Sequence, residues 1–310
     1  MRALFNLPAP AKINWFLHVT GRRDDGYHTL QTVFQFIDWC DSIDLVRRDD
    51  GNIRRLGAAE LPEHDLCVRA AVLLQQTAGC RLGVDIQLRK SIPQQAGLGG
   101  GSSDAATVLI GLNRLWGLNL SRAGLMRLAL QLGADVPVFI FGRNAWAQGV
   151  GEELQAVDLP TPLWVVVHPA RGLSTHAVFS AFDLTSAATA EKMSGFAEWL
   201  NTTRNSATRN SAPGLKEPAL VEMWGANDLQ QPAIAAEPEV GRAMAELLAR
   251  MARSGAKLRF AARMSGSGSA VFAWLDSEGA HGALDDLPAG WQGRVCSGLS
   301  RHPLQGWIDA

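Results

Sequence analysis

The side chains best suited to chemistry in this chain fall in four short stretches. Lys12 and Asn14 lie in "PAPAKINWFLHV", Tyr27 and His28 in "DGYH", a glycine run in "GLGGGSSDAA" from Gly97, and Asp135 in "LGADVPVF". Gly97, Leu98, Gly99, Gly100, Gly101, Ser102 and Ser103 offer backbone amides with little side-chain obstruction, directly ahead of an apolar, alanine-rich stretch. Unpaired amides at the start of a helix carry partial positive charge, so a loop of this kind suits a phosphate. Ser102, Ser103 and Asp104 are all helix-capping types, which places the helix start among them. No Gly-Lys-Ser/Thr follows, which excludes the P-loop, and Ser102 stands where a dinucleotide fingerprint wants glycine. The Asp-Phe-Gly and His-Arg-Asp signatures of protein kinases are also absent. Two readings stand for each remaining group. Asp135 either caps a turn ahead of Pro137 or is a carboxylate at the rim of an apolar pocket, where a general base works. Lys12 is either a solvated strand lysine or the cation that such a site needs.

The elements that must position these groups are readable from periodicity. "AKINWFLHV" alternates, with Ile13, Trp15, Leu17 and Val19 on one side and Lys12, Asn14, Phe16 and His18 on the other, so it predicts a strand with one unusually polar face. "TVFQFIDWCDSIDLVRR" and "LGVDIQLRKSIP" predict further strands, and "DLCVRAAVLLQQTAG" between them has helical spacing. After the glycine loop, Ala105, Val108, Leu109, Leu112, Leu115 and Trp116 fall on one helical face. Strands and helices interleave, an α+β or two-layer α/β pattern. Near Pro160 the character changes, and "PLWVVVHP" opens a second unit, giving domains at 1–158 and 159–310. Within it, "LRFAARMSGSGSAVFAWL" predicts strand, glycine-serine turn, strand. The tandem "TRNSATRNSA" from Thr203 to Ala212 predicts a solvated loop without a role in chemistry.

Composition narrows the partners. With 29 basic and 30 acidic residues and a net charge of -1, no basic face points to nucleic acid and no charged tail to a membrane surface. Cys40, Cys67, Cys80 and Cys296 lack zinc or disulfide spacing, and neither a leader nor a membrane span is evident, so a cytoplasmic protein is expected.

Taken in order, "PAPAKINWFLHV", "GLGGGSSDAA" with "LGADVPVF", and "MSGSGSAVF" resemble the three motifs of the GHMP small-molecule kinases, spread over residues 8 to 272. The resemblance implies two α/β-type domains with the active site between them, a left-handed βαβ crossover in the first, and ATP with Mg²⁺ as cofactors. It assigns Asp135 as the base and Lys12 as the cation beside it. It puts the loop from Gly97 to Ser103 on the ATP phosphates, with Gly266, Ser267 and Gly268 folded back against them and Ser103 as a candidate metal ligand. Asp65 and Lys90 fall where the family contacts ATP's base, although Asp65 stands in place of the usual asparagine and cannot donate a hydrogen bond. "AKINWFLHVTGRRDDGYHTLQTVFQFID" and "AWAQGVGEEL" are similar to a narrower branch acting on a cytidine-linked sugar alcohol. There Tyr27 and Phe179 would sandwich the cytosine, His28 would bond its polar edge, and Asn14 would touch substrate. A small molecule is the expected partner of a monomer or weak homodimer, with no nucleic acid and no membrane. The rival readings are another GHMP kinase, acting on homoserine, mevalonate or phosphomevalonate, and a ligand sensor that has lost catalysis.

Overall fold

The computed structural model describes residues 1–57, 65–182, 226–255, 262–275 and 284–308. The duplicated loop at 203–212 lies outside them. Two long strands, β1 (Ala3–Arg22) and β2 (His28–Arg48), form an antiparallel ladder joined by the "RDDGY" turn. β3 (Ile53–Leu56), α1 (Leu66–Thr77) and β4 (Gly83–Arg89) make a unit in which β3 and β4 pair in parallel. Then come α2 (Gly100–Leu115), α3 (Arg122–Leu132), α4 (Val136–Phe141), and the hairpin β5 (Ala145–Gln148) and β6 (Glu153–Ala156). After β7 (Leu163–His168) lie α5 (Thr175–Ser180), α6 (Gln230–Ala236), α7 (Glu239–Ser254), β8 (Arg263–Met264), β9 (Val271–Leu275) and β10 (Gln292–Leu299).

Among the described residues these ten strands make one sheet, in the order β3-β4-β2-β10-β7-β9-β8, with β1 and β5 also paired to β2. β10 pairs with β7 over Gln292–Ser297 and reaches β2 through Gly298 and Leu299, so it carries the sheet from one half of the chain to the other.

The alternation of β1 holds only until a register shift between Asn14 and Leu17. A bulge re-aims the side chains beyond it. Phe16 therefore joins Ile13 and Trp15 in one core, while Leu17 and Val19 enter another with α6 and α7. Helix α2 differs from its sequence reading as well. Every residue from Ser103 to Asn113 is buried, because sheet and helices α1, α3 and α4 surround it, and an apolar face widens into an apolar cylinder. Its start also lies ahead of Ser102. Gly99 is the N-cap at φ 70°, with no side chain capping the helix, and the two serines fall within the first turn. The left-handed backbone that glycine tolerates turns the chain into the helix, so the serines are not needed for it. All four cysteines are free thiols, with burial pushing Cys40 up to about 11 and Cys296 up to about 12.

Candidate active site

Lys12 is 2% exposed, and its ammonium has three acceptors: Asn14 Oδ1 at 2.7 Å, the Gly97 carbonyl at 3.1 Å and Asp135 Oδ2 at 3.3 Å. Three donors meet three oxygens, so the group is satisfied and its place fixed. The Asn14 amide donates to Thr32 Oγ1 at 2.9 Å, which holds the side chain with its carbonyl toward Lys12. Asp135 immediately precedes α4, yet its carboxylate makes no capping bond. Pro137 in the first helical turn has no N–H for it to accept. The Asp135 side chain stays 39% exposed, with one oxygen toward Lys12 and room for a hydroxyl to approach.

Across from this pair, the glycine loop is pinned at several points. Lys12 N–H donates to Leu98 O at 2.9 Å, and Ser265 Oγ donates to Gly97 O at 3.0 Å. The first helical bond of α2 runs from Ser103 N–H to Gly99 O, which leaves the amides of Gly100, Gly101 and Ser102 without helical partners. Glycine is needed where backbones crowd. A Cβ on Gly97 would lie 2.1 Å from Ser265 O, and one on Gly266 would lie 3.2 Å from Asn14 Oδ1 and 3.3 Å from Lys12 Nζ. The second glycine turn thus closes on the same lysine. Asn227, which carries no motif in the sequence, fastens that turn by donating to Met264 O at 2.9 Å and Gly266 O at 2.7 Å.

Lys90 is not a free cation. Its ammonium lies between the buried carboxylates of Asp41 and Asp104, the latter at 2.7 Å, and a Cβ on Gly100 would meet it at 3.2 Å. Burial pushes the Asp104 carboxyl up to about 7 against the pull of Lys90, and Asp41 adds to the rise. Burial opposes the charge on Lys90, but the two carboxylates outweigh it and raise its pKa. Asp41 gives no signal in sequence, since it lies 49 residues from the lysine it holds. Asp65 is likewise occupied, accepting from Val68 N–H at 2.9 Å as the cap of α1 and pairing with Arg55.

At the other end Tyr27 is 63% exposed and makes no ring contact with the described residues. His28 packs on Phe179 with centroids 5.2 Å apart and planes at 31°. Partial burial, with the Arg22 charge beside it, lowers the His28 pKa, so the ring is neutral at pH 7 and carries one donor and one acceptor. The structure brings Phe179 against His28. One cavity of about 1000 Å³ is lined by Lys12, Asn14, Asp65, Lys90, Gly97 to Ser102, Asp135, Gly266 and Ser267, and by Tyr27, His28 and Phe179. Ser103 and Gly268 do not line it. The Ser103 hydroxyl is fully buried without a hydrogen-bond partner, and no cluster of three acidic, His or Cys ligands exists among the described residues. Among the described residues, protein ligands for a resident metal are thus not assembled. No helix of the described residues is long and apolar enough to cross a membrane.

A cavity with a proton acceptor, a fixed cation and a phosphate-ready loop is the equipment of phosphoryl transfer to a hydroxyl. Comparison with known proteins agrees. The family described as GHMP kinases N terminal domain matches residues 65–143, and GHMP kinases C terminal matches 207–292. A 4-diphosphocytidyl-2-C-methyl-D-erythritol kinase of Methylibium petroleiphilum is 48% identical over 312 residues, covering 99% of each chain. One of Variovorax paradoxus is 47% identical over 309 residues, again covering 99% of both. A crystal structure of 4-(cytidine 5'-diphospho)-2C-methyl-D-erythritol kinase superposes with a TM-score of 0.71 at 33% identity, over 96% of this chain and 98% of that one. A homoserine kinase from Cytophaga hutchinsonii, at 17% identity and a TM-score of 0.65, covers 97% of this chain and 95% of its own, and shares the fold. Sequence, fold and site converge, and the chain belongs to the GHMP kinases and, within them, to the 4-diphosphocytidyl-2-C-methyl-D-erythritol kinase family.

Proposed function

We propose that this chain transfers the γ-phosphoryl group of ATP to the 2-hydroxyl of 4-diphosphocytidyl-2-C-methyl-D-erythritol, giving the 2-phosphate and ADP, a step of the non-mevalonate route to isoprenoid precursors. The observation that carries the reading is the Lys12–Asp135 pair, 3.3 Å apart, in a cavity that runs from the glycine loop to Tyr27 and His28. Asp135 takes the hydroxyl proton as the oxygen attacks phosphorus. Lys12, close to both Asp135 and Gly97, offsets charge on the transferring group. The free amides of Gly100, Gly101 and Ser102 receive the phosphates, and Ser267 closes the cavity beside them. Mg²⁺ is read as part of the Mg-ATP substrate, held by phosphate oxygens and water, since no cluster of three acidic, His or Cys ligands stands among the described residues. Asp65 and Lys90 shape the adenine end through the contacts they make, with the lysine's charge already matched by Asp41 and Asp104. A neutral His28 suits the polar edge of a cytosine, and Tyr27 offers it a flat face. We retain the division at 158/159 as the organisation of the chain, and a cytoplasmic monomer or weak homodimer as its state.

The test is ADP release from Mg-ATP with the cytidyl compound, mevalonate and homoserine offered separately. Turnover with the cytidyl compound alone is expected. Turnover with another acceptor alone overturns the substrate, and silence with all three from a folded, ATP-binding protein overturns catalysis.

A further inference from the structure

Three lysine or arginine side chains line the cavity: Lys12, Lys90 and Arg22. Two are neutralised, Lys12 by Asp135 and Lys90 by Asp41 and Asp104. Arg22 has no carboxylate partner among the described residues. Its Nε donates to Gly26 O at 3.2 Å, which anchors the guanidinium by its inner nitrogen and leaves both outer nitrogens to donate. Its neighbour is the contrast. Arg23 pairs with Asp25 at 2.8 Å and lies 4.0 Å from Glu152, and it does not line the cavity. Arg22 sits directly across the β1–β2 ladder from His28, and its charge contributes to the lowering of the His28 pKa. An uncompensated guanidinium thus stands at the end of the cavity where the aromatic groups are.

A guanidinium without an acid partner in a ligand cavity is available to a negatively charged ligand, and its charge-assisted bonds to phosphate oxygens are strong ones. Neutral cytosine does not supply that charge, whereas the diphosphate one ribose further on does. We infer that Arg22 binds the diphosphate of a nucleoside-diphosphate-linked acceptor, and so selects such acceptors over the free nucleoside. The inference rests on the cytidyl reading of the substrate. A guanidinium fork matches paired phosphate oxygens, which an ammonium does not reproduce.

The experiment is equilibrium binding of cytidine and of CDP to the full chain, with the ATP site filled by a non-hydrolysable ATP analogue. It compares the natural protein with Arg22→Gln, Arg22→Lys and, as control, Arg23→Gln. Arg22→Gln should weaken CDP by about tenfold, the size of one charge-assisted bond at an exposed position, and leave cytidine within about twofold. Arg22→Lys should recover part of the loss, and Arg23→Gln should keep the ratio of the two affinities. An unchanged CDP-to-cytidine ratio in Arg22→Gln overturns the inference while the substrate reading stands. A natural protein that binds neither ligand overturns both.

Discussion

Asp135 owes its availability to the residues around it. An aspartate before a helix ordinarily spends its oxygen on the first turn, but Pro137 removes one donor and the Asp135 carboxylate pairs with Lys12 instead. Asp135→Asn keeps the shape and loses the base. Turnover should fall by about a hundredfold or more while ATP affinity stays within a few fold, read from steady-state kinetics and nucleotide binding; near-normal turnover would remove Asp135 from the role. The Asp41–Lys90–Asp104 cluster gives a second prediction, one of stability. It sets two buried carboxylates on one ammonium, so one negative charge is uncompensated, and the Asp104 carboxyl is raised to about 7. Because that carboxyl holds its proton more tightly in the folded chain than in the unfolded one, it favours folding at low pH. The contribution is lost as pH rises from about 4 toward 7, by at most about 1.4 kcal/mol per pH unit for one proton. Asp104→Asn should abolish this slope, leaving the variant more stable than the natural chain at pH 8 in denaturant titrations. Equal slopes in both proteins would contradict the assignment.

Helix α2 and the loop before it act as one element, and their glycines have unequal tasks. Gly97 has φ 71°, and a Cβ there would lie 2.1 Å from Ser265 O and 3.0 Å from Gly268 N. Gly97→Ala must push the two loops apart or strain the backbone, at a cost of about 3 kcal/mol or more. Gly101 lies inside the helix with its nearest obstruction at 3.6 Å, the Leu66 Cδ1. Gly101→Ala should leave the melting temperature unchanged or slightly higher, as alanine favours helix, whereas Gly97→Ala should lower it by many degrees. Similar melting temperatures for the two variants would mean that the loops are not locked together at Gly97. Much of this element is legible in the sequence, because glycine runs and apolar periodicity are local signals, and Lys12, Asp135 and the loop stand out by them. The start of α2 is not, because Gly99 rather than the capping serines makes the turn. Asp41 and Asn227 escape a sequence reading for another reason: their roles come from partners that folding brings together, Lys90 across 49 residues and Gly266 across 39. Lys90 is visible as a cation near the loop, but sequence does not show which acids neutralise it.

At the scale of the molecule, the sheet and one core cross the proposed boundary at 158/159. Trp15 and Val33 from the first half pack with Trp164, Phe272 and Trp274 from the second. The indoles of Trp15, Trp164 and Trp274 lie with centroids 5.4 to 5.9 Å apart. At their centre is Gln35, fully buried on β2. Its carbonyl accepts from Trp15 Nε1 at 2.8 Å and Trp164 Nε1 at 3.1 Å, and its amide donates to Pro160 O at 2.7 Å. One side chain therefore satisfies donors from both halves and holds the chain where it passes between them. Halves that share a core and a strand ladder cannot unfold separately without exposing that apolar surface. Calorimetry should show a single transition whose calorimetric and van't Hoff enthalpies agree, and two resolved transitions would show that the halves are independent. Gln35→Leu fills the same space but strips the two indole N–H groups of their acceptor, costing about 1–3 kcal/mol for each left buried without one. The transition should move down in temperature as a whole. If Gln35→Leu split it in two, the polar contact rather than the shared core would be what couples the halves, and the cavity between them would depend on that one glutamine.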